Sequence, residues 1–189
     1  LYLSRFARGR TGSFLRSGVE LLAGIPSVVY GFFGLVIIVP FVRLLGPGTG
    51  LSVLAASLIL GIMILPTVIT VAQSALDAVP ARYYEGALAL GVDHEHAVFK
   101  VVAPAAASGI MAAIVLGLGR AIGETMAVVM VAGNMPIIPD SLLSGVRTMT
   151  ANIVMEMGYA TDLHREALIA TAVVLFVFIL MINVTFSLL

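Results

Sequence analysis

Residues 19–42, 50–71, 105–132 and 167–189 of this chain are almost wholly apolar. Each stretch is long enough to cross the hydrocarbon core of a bilayer, which takes about 20 residues of helix. Their apolar residues run round every side of a helix instead of down one stripe, as in a helix surrounded by lipid or by other spans. Composition closes the soluble alternative. Hydrophobic residues make up 60% of the chain and charged ones 11%, with a mean hydropathy of +1.13, whereas ordinary soluble domains carry about 25% charged residues. A surface built from that remainder would be as apolar as the interior. The sequence predicts an all-α polytopic transmembrane bundle of about four spans.

Ten basic and ten acidic residues give a formal net charge of zero, without the clustered basic face that a nucleic-acid partner requires. Cysteine is absent, so neither disulfides nor thiolate metal sites hold the fold. The chain begins at Leu1, in a basic, semi-polar stretch, and is expected to be part of a longer protein with one or more spans upstream.

Lys and Arg set the expected orientation. Arg5, Arg8, Arg10 and Arg16 precede the first span, and Arg82 and Lys100 follow the second; the opposite side carries Arg43, Arg147 and Arg165. This imbalance places the N-terminal stretch and the 77–104 segment in the cytoplasm. Pro26 and Pro66 fall inside the first and second spans, where each removes a backbone hydrogen bond and is expected to kink its helix. Freed carbonyls are tolerated at membrane depth against protein neighbours or a wet cavity. The prolines are therefore expected to shape a pathway, while Gly24, Gly31 and Gly34 suit helix packing.

Residues 77–104 read DAVPARYYEGALALGVDHEHAVFKVVAP. Pro80 suits the first turn of a helix, Gly91 its C-terminal stop, and a second helical run covers 95–102. A short helix carrying Glu85 with the small Ala87 and Ala89 is shaped to lie in another protein's groove. The alternative is a plain connector. Asp93, His94 and His96 do not make a metal site, because histidines two apart point to different sides of a helix and further ligands are lacking.

In the third span Arg120 and Glu124 are four residues apart, hence on one face of a continuous helix. Counted from Pro104, Arg120 lies about 24 Å along that helix, deep in the bilayer. An unpaired charge there costs at least about 2.5–3.5 kcal/mol, so a partner is expected, with Glu124 nearest. Gly119 and Gly123 would let another helix approach closely. Two readings stay open: a buried ion pair that orients helices, or a guanidinium that meets a passing anion, for which its planar fork is well suited. In the second, Glu124 would keep the anion from binding too tightly to leave.

Glu85, Gly86, Ala87, then Gly91, then Val101, Val102, Ala103 and Pro104 resemble the EAA loop of ABC importer permeases, with Gly86 for an Ala, Val101 for an Ile and Ala103 for a Leu. GIPSVVYGFFGL at 24–35 and GRAIGETMAVVMVAGN at 119–134 are similar to permease subunits of the phosphate-specific ABC import system, more like its C-type subunit than its A-type. The resemblance runs along essentially the whole chain. It implies a MetI-like fold in a bacterial or archaeal cytoplasmic membrane, in contact with lipid, and inorganic phosphate as cargo. It also implies a sister permease subunit, two ATP-binding cassette subunits that hold ATP and Mg, and a periplasmic or lipid-anchored phosphate-binding protein. By the same resemblance Glu85, Gly86, Ala87 and Gly91 dock the ATPase, and Arg120, Glu124 and Thr125 line the substrate pathway. The chain has no GxxxxGK[ST] loop for ATP and no HExxH or GxSxG motif, so it is expected not to be an enzyme and to carry no cofactor or metal. The remaining alternatives are an ABC permease for another anion or small solute, an anion channel, or an intramembrane enzyme.

Overall fold

The computed structural model describes residues 1–7 and 9–187. Arg8 of the basic stretch and the last two residues of the fourth expected span, Leu188 and Leu189, lie outside the described residues. The described residues are helical in their regular elements, as the apolar runs predict. The first expected span is not one helix. Helix α1 (Gly9–Ala23) ends before Gly24, and α2 (Ser27–Phe33) begins after Pro26, whose φ of −61° and ψ of 144° are extended. Proline strips the N–H that would continue a helix and pushes Ile25 before it out of the helical region. Pro26 is thus a helix boundary and not the kink inside a span that its position suggested.

From Ser27 the chain stays helical through a wide turn at Gly34–Ile38 and α3 (Val39–Arg43). In the wide turn the Val39 N–H reaches the Gly34 carbonyl, and the next residue, Pro40, has no N–H of its own. That run rises about 25 Å. Helix α4 (Val53–Asp77) is longer than the 50–71 stretch and carries Pro66 in its interior, buried, with the Thr70 hydroxyl donating to the Pro66 carbonyl at 2.8 Å.

Helix α5 (Ala81–Ala89) and α6 (His94–Ala97) form the expected helix–turn–helix. A second wide turn, Val98–Val102, continues into the short α7 (Ala103–Ala105), and again it stands immediately before a proline, Pro104. Ala106 then bends the path by 66° into α8 (Ala107–Gly123). The third expected span breaks after Gly123 and resumes as α9 (Met126–Val131). After α10 (Met149–Glu156), helix α11 (Asp162–Ser187) supplies the fourth. Among the described residues, α4 and α11 are unbroken helices long and apolar enough to cross a membrane. The broken pairs α1 with α2–α3, and α6–α7 with α8, bring the number to as many as four.

The chain divides into two compact units. Leu1–Gly24 and Leu65–Leu118 form one; Ile25–Ile64 and Gly119–Leu189 form the other. The core of the first is Leu76, Val102 and Ala106 with Val79, Tyr84 and Ile110 packed on it. In the second, Tyr30, Ile59, Met63 and Ala127 form one cluster, and Val39, Val42, Ala55, Ala56, Val128, Val131 and Ala132 another. Helices α2 and α9 meet closely there because Gly31 has no side chain: a Cβ would stand 2.8 Å from both the Ala127 Cα and the Met130 Sδ. The free N–H groups at the start of α4 find partners from elsewhere in the same unit. Ser52 donates to the Val131 carbonyl at 3.0 Å, Val53 to Ser144 at 3.0 Å and Leu54 to Leu142 at 2.8 Å.

Candidate functional site

Two groups of residues carry the sequence-based expectations, one in each unit. In the first unit, α5 begins after Pro80, whose extended conformation (φ −55°, ψ 133°) starts the helix in the expected place. It ends on Gly91 at φ +85°. The Gly91 N–H donates to the Leu88 carbonyl at 2.9 Å and the Val92 N–H to the Ala87 carbonyl at 3.2 Å, the paired bonds of a left-handed C-terminal stop. A Cβ at Gly91 would meet nothing within 4 Å, so its backbone angle, and not space, calls for glycine.

Asp93 then caps α6, accepting the His96 N–H at 3.0 Å, and its carboxylate also lies 2.6 Å from His96 Nδ1. The hydrogen bonds from the His96 backbone and ring hold the Asp93 carboxyl below the usual carboxylate range. The Tyr84 hydroxyl and His94 Nδ1, 2.7 Å apart, join the two helices across the turn. Phe6 stacks edge-on against His94 at 4.9 Å, while Arg5 donates to the Leu76 carbonyl at 2.6 Å. The hairpin is therefore braced from behind by the N-terminal stretch.

One face of the hairpin is left open. Glu85, Gly86 and Ala89 are exposed, and Leu90 is 86% exposed. Ala87 is only 7% exposed. Its small side chain sets how deeply α5 seats. Of the residues expected to dock the ATPase, Glu85, Gly86 and Gly91 are exposed and Ala87 is buried.

In the second unit, Arg120 stands exposed in the last turn of α8. The helix stops at Gly123, so Arg120 and Glu124 do not share one face of a continuous helix; they flank a break. Glu124 Oε1 accepts the Ala127 N–H at 3.1 Å and so caps α9. Thr125 occupies the gap at φ −115° and ψ −55°. The Thr150 hydroxyl donates to the Glu124 carbonyl at 3.3 Å, supplying a partner that the interrupted helix no longer provides. Irregular backbone of this kind at membrane depth occurs where it is buried in protein or lines a cavity.

Sequence reading counted Arg147 only as a loop charge. In the structure its Nη1 donates to Glu156 Oε1 at 2.8 Å and to Asn152 Oδ1 at 3.3 Å, and its Nε donates to the Asn134 carbonyl at 3.0 Å. The pair is nine residues apart in sequence, a spacing to which no single helical periodicity draws attention.

An apolar helical chain, a capped hairpin with one open face and a broken helix beside an arginine are the features of a transport-system membrane subunit. The chain belongs to the family described as "Binding-protein-dependent transport system inner membrane component", which matches residues 1–189. It is 39% identical over 190 residues to "Probable ABC transporter permease protein YqgH" of Bacillus subtilis, covering 97% of this chain and 62% of that protein. It is 37% identical over 180 residues to "Phosphate transport system permease protein PstC" of Mesorhizobium japonicum, covering 84% of this chain and 55% of the relative. Against "Phosphate transport system permease protein PstC 1" of Mycobacterium tuberculosis the identity is 37% over 191 residues, covering 88% and 56%. The chain thus spans a little over half the length of these curated relatives.

Proposed function

We propose that this chain forms part of the translocation pathway of an ATP-driven phosphate importer and docks the motor of that importer through α5. The observation that carries the reading is the break at Gly123–Thr125 beside Arg120, inside a stretch apolar enough to be a span. Discontinuous helices of this kind build substrate sites near the bilayer midplane in transporters. A guanidinium next to such a break suits phosphate oxygens, and Glu124, occupied as a cap, is held close by. Relatives named as phosphate transport permeases support phosphate over other anions.

The hairpin α5–Gly91–α6 suits the role of the coupling element. Its open face carries Glu85, Gly86 and Leu90, and closing of the ATPase subunits would push on it. Arg10, Arg16, Arg82 and Lys100 put α1 and the hairpin in the cytoplasm, so that α2–α3 lead outward, α4 returns, α8–α9 lead outward and α11 returns. ATP and Mg belong to the two ATP-binding cassette subunits. A sister permease completes the path, and a phosphate-binding protein delivers cargo from outside. This chain contributes no catalytic group.

The test is uptake of labelled phosphate into proteoliposomes holding the full-length protein with its co-purified companions. Accumulation that needs ATP and the binding protein is the expected result. Uptake of another anion in preference to phosphate would overturn the cargo, and downhill phosphate flux independent of ATP would point to a channel.

A further inference from the structure

We propose that Arg147 and Glu156 form a latch that holds α10 against the helix break at Glu124–Thr125, and are positioning residues for opening of the pathway at that point. The proposal rests on the reading of the break as part of the pathway, and it concerns residues to which that reading gives no role.

Arg147 stands immediately before Thr148, the N-cap of α10, and Glu156 is the last residue of that helix. Asn152 and Glu156 are four residues apart, so they share a face of α10, and the Arg147 guanidinium runs along it, 3.3 Å from Asn152 Oδ1 and 2.8 Å from Glu156 Oε1. Arg147 Nε reaches back to the carbonyl of Asn134, which turns the chain out of α9 at a φ of +53°. The second Glu156 oxygen lies 3.8 Å from His164 Nε2 on α11. The ion pair itself joins the two ends of α10, and its members also reach outward, Arg147 to the Asn134 carbonyl after α9 and Glu156 to His164 at the start of α11.

The N-terminal end of α10, next to Arg147, meets the break. The Thr148 hydroxyl accepts the Ala151 N–H at 3.2 Å and lies 3.1 Å from the Thr150 hydroxyl, which donates to the Glu124 carbonyl. Ala151 is fully buried behind this contact. A chain that opens at Glu124–Thr125 must draw Thr150 away from that carbonyl, and α10 is held in place at its start by the Arg147 bond to Asn134 and at its end by the Glu156 contact with His164. The side chains of the pair are 20% and 19% exposed. That is buried enough for a charge-assisted bond to matter and open enough for it to break and re-form.

These 189 residues hold no cysteine, so labelling is scored against the same complex without the introduced one. A Thr125→Cys full-length protein in its assembled complex is treated with a membrane-impermeant maleimide, applied separately to right-side-out and inverted vesicles. Arg147→Gln and Glu156→Gln are each expected to raise the labelling rate roughly tenfold, the loss that one charge-assisted bond entails. A parallel Ala56→Cys protein, whose cysteine sits in the core of the same unit, is expected to remain unlabelled in both variants. Equal rates at Thr125→Cys with and without the pair would overturn the latch, and so would labelling that rises equally at Ala56→Cys, since that reports a loosened fold. Labelling from the inverted vesicles alone would overturn the assigned sidedness, and the ratio of rates would still judge the latch.

Discussion

At the scale of single residues, three positions carry most of the account. Arg120 is expected to bind the anion, so Arg120→Ala should lower phosphate uptake by about ten- to a hundredfold, the worth of one or two charge-assisted bonds. The complex should still assemble. Loss of the assembled complex from the membrane would instead assign Arg120 to holding helices together. Gly91 is held at φ +85°, and Gly91→Val forces a β-branched residue into a left-handed conformation at a cost of about 1–2 kcal/mol. The expected outcome is a lower thermal midpoint and weaker co-purification of the ATPase, with Gly91→Asn milder than Gly91→Val.

Asp93 adds a pH dependence. Its carboxyl is held below the usual range by the His96 N–H and ring, so the unfolded hairpin binds the proton more readily than the folded one. The contribution of the cap is complete above the ordinary carboxylate range and disappears as pH falls through the lowered value. Amide exchange at 94–98, compared with Asp93→Ala at each pH, should show protection in the native chain at neutral pH and none in excess of the variant in strong acid.

At the scale of elements, apolar runs located the spans but not their interruptions. The hairpin was legible because its signals are local: Pro80 starts α5 and Gly91 stops it, whereas the cap that Asp93 gives α6 was missed and the second run was placed at 95–102. The break at Glu124–Thr125 was not legible, since the apolar pattern runs straight through it. What makes it tenable is a capping bond from the Glu124 side chain and a hydroxyl from Thr150, far along the chain. Pro26 interrupts the first expected span, as its position suggested, but by ending one helix and starting another. Proline in a lipid-embedded helix commonly kinks it, whereas here Gly24 and Ile25 precede it and the helix ends.

The wide turns before Pro40 and Pro104 show the milder outcome, in which the helix widens and continues. Packing of α2 on α9 gives the element-scale prediction. Gly31→Val drives a side chain into the Ala127 backbone and should destabilise the second unit by about 1–3 kcal/mol, read as a lower thermal midpoint in detergent. An unchanged midpoint would mean that the two helices are not in close contact.

At the scale of the whole molecule, a transporter subunit must offer one surface to its motor and another to its cargo. The chain presents a candidate for each in a different compact unit: α5 in one, the Arg120 break in the other. The sequence had no way to reveal Arg147 and Glu156, because their meeting depends on how the segment between α9 and α11 folds back, and neither charge spacing nor hydropathy encodes that.

The docking role of α5 is the claim on which the rest depends, and site-directed cross-linking tests it most directly. Leu90→Cys in the otherwise cysteine-free chain, within the full-length protein and its native membrane, should couple through a short bifunctional maleimide to the ATP-binding subunit, with a yield that changes when ATP is bound. Absence of any adduct with that subunit, from membranes that still accumulate phosphate, would contradict the account.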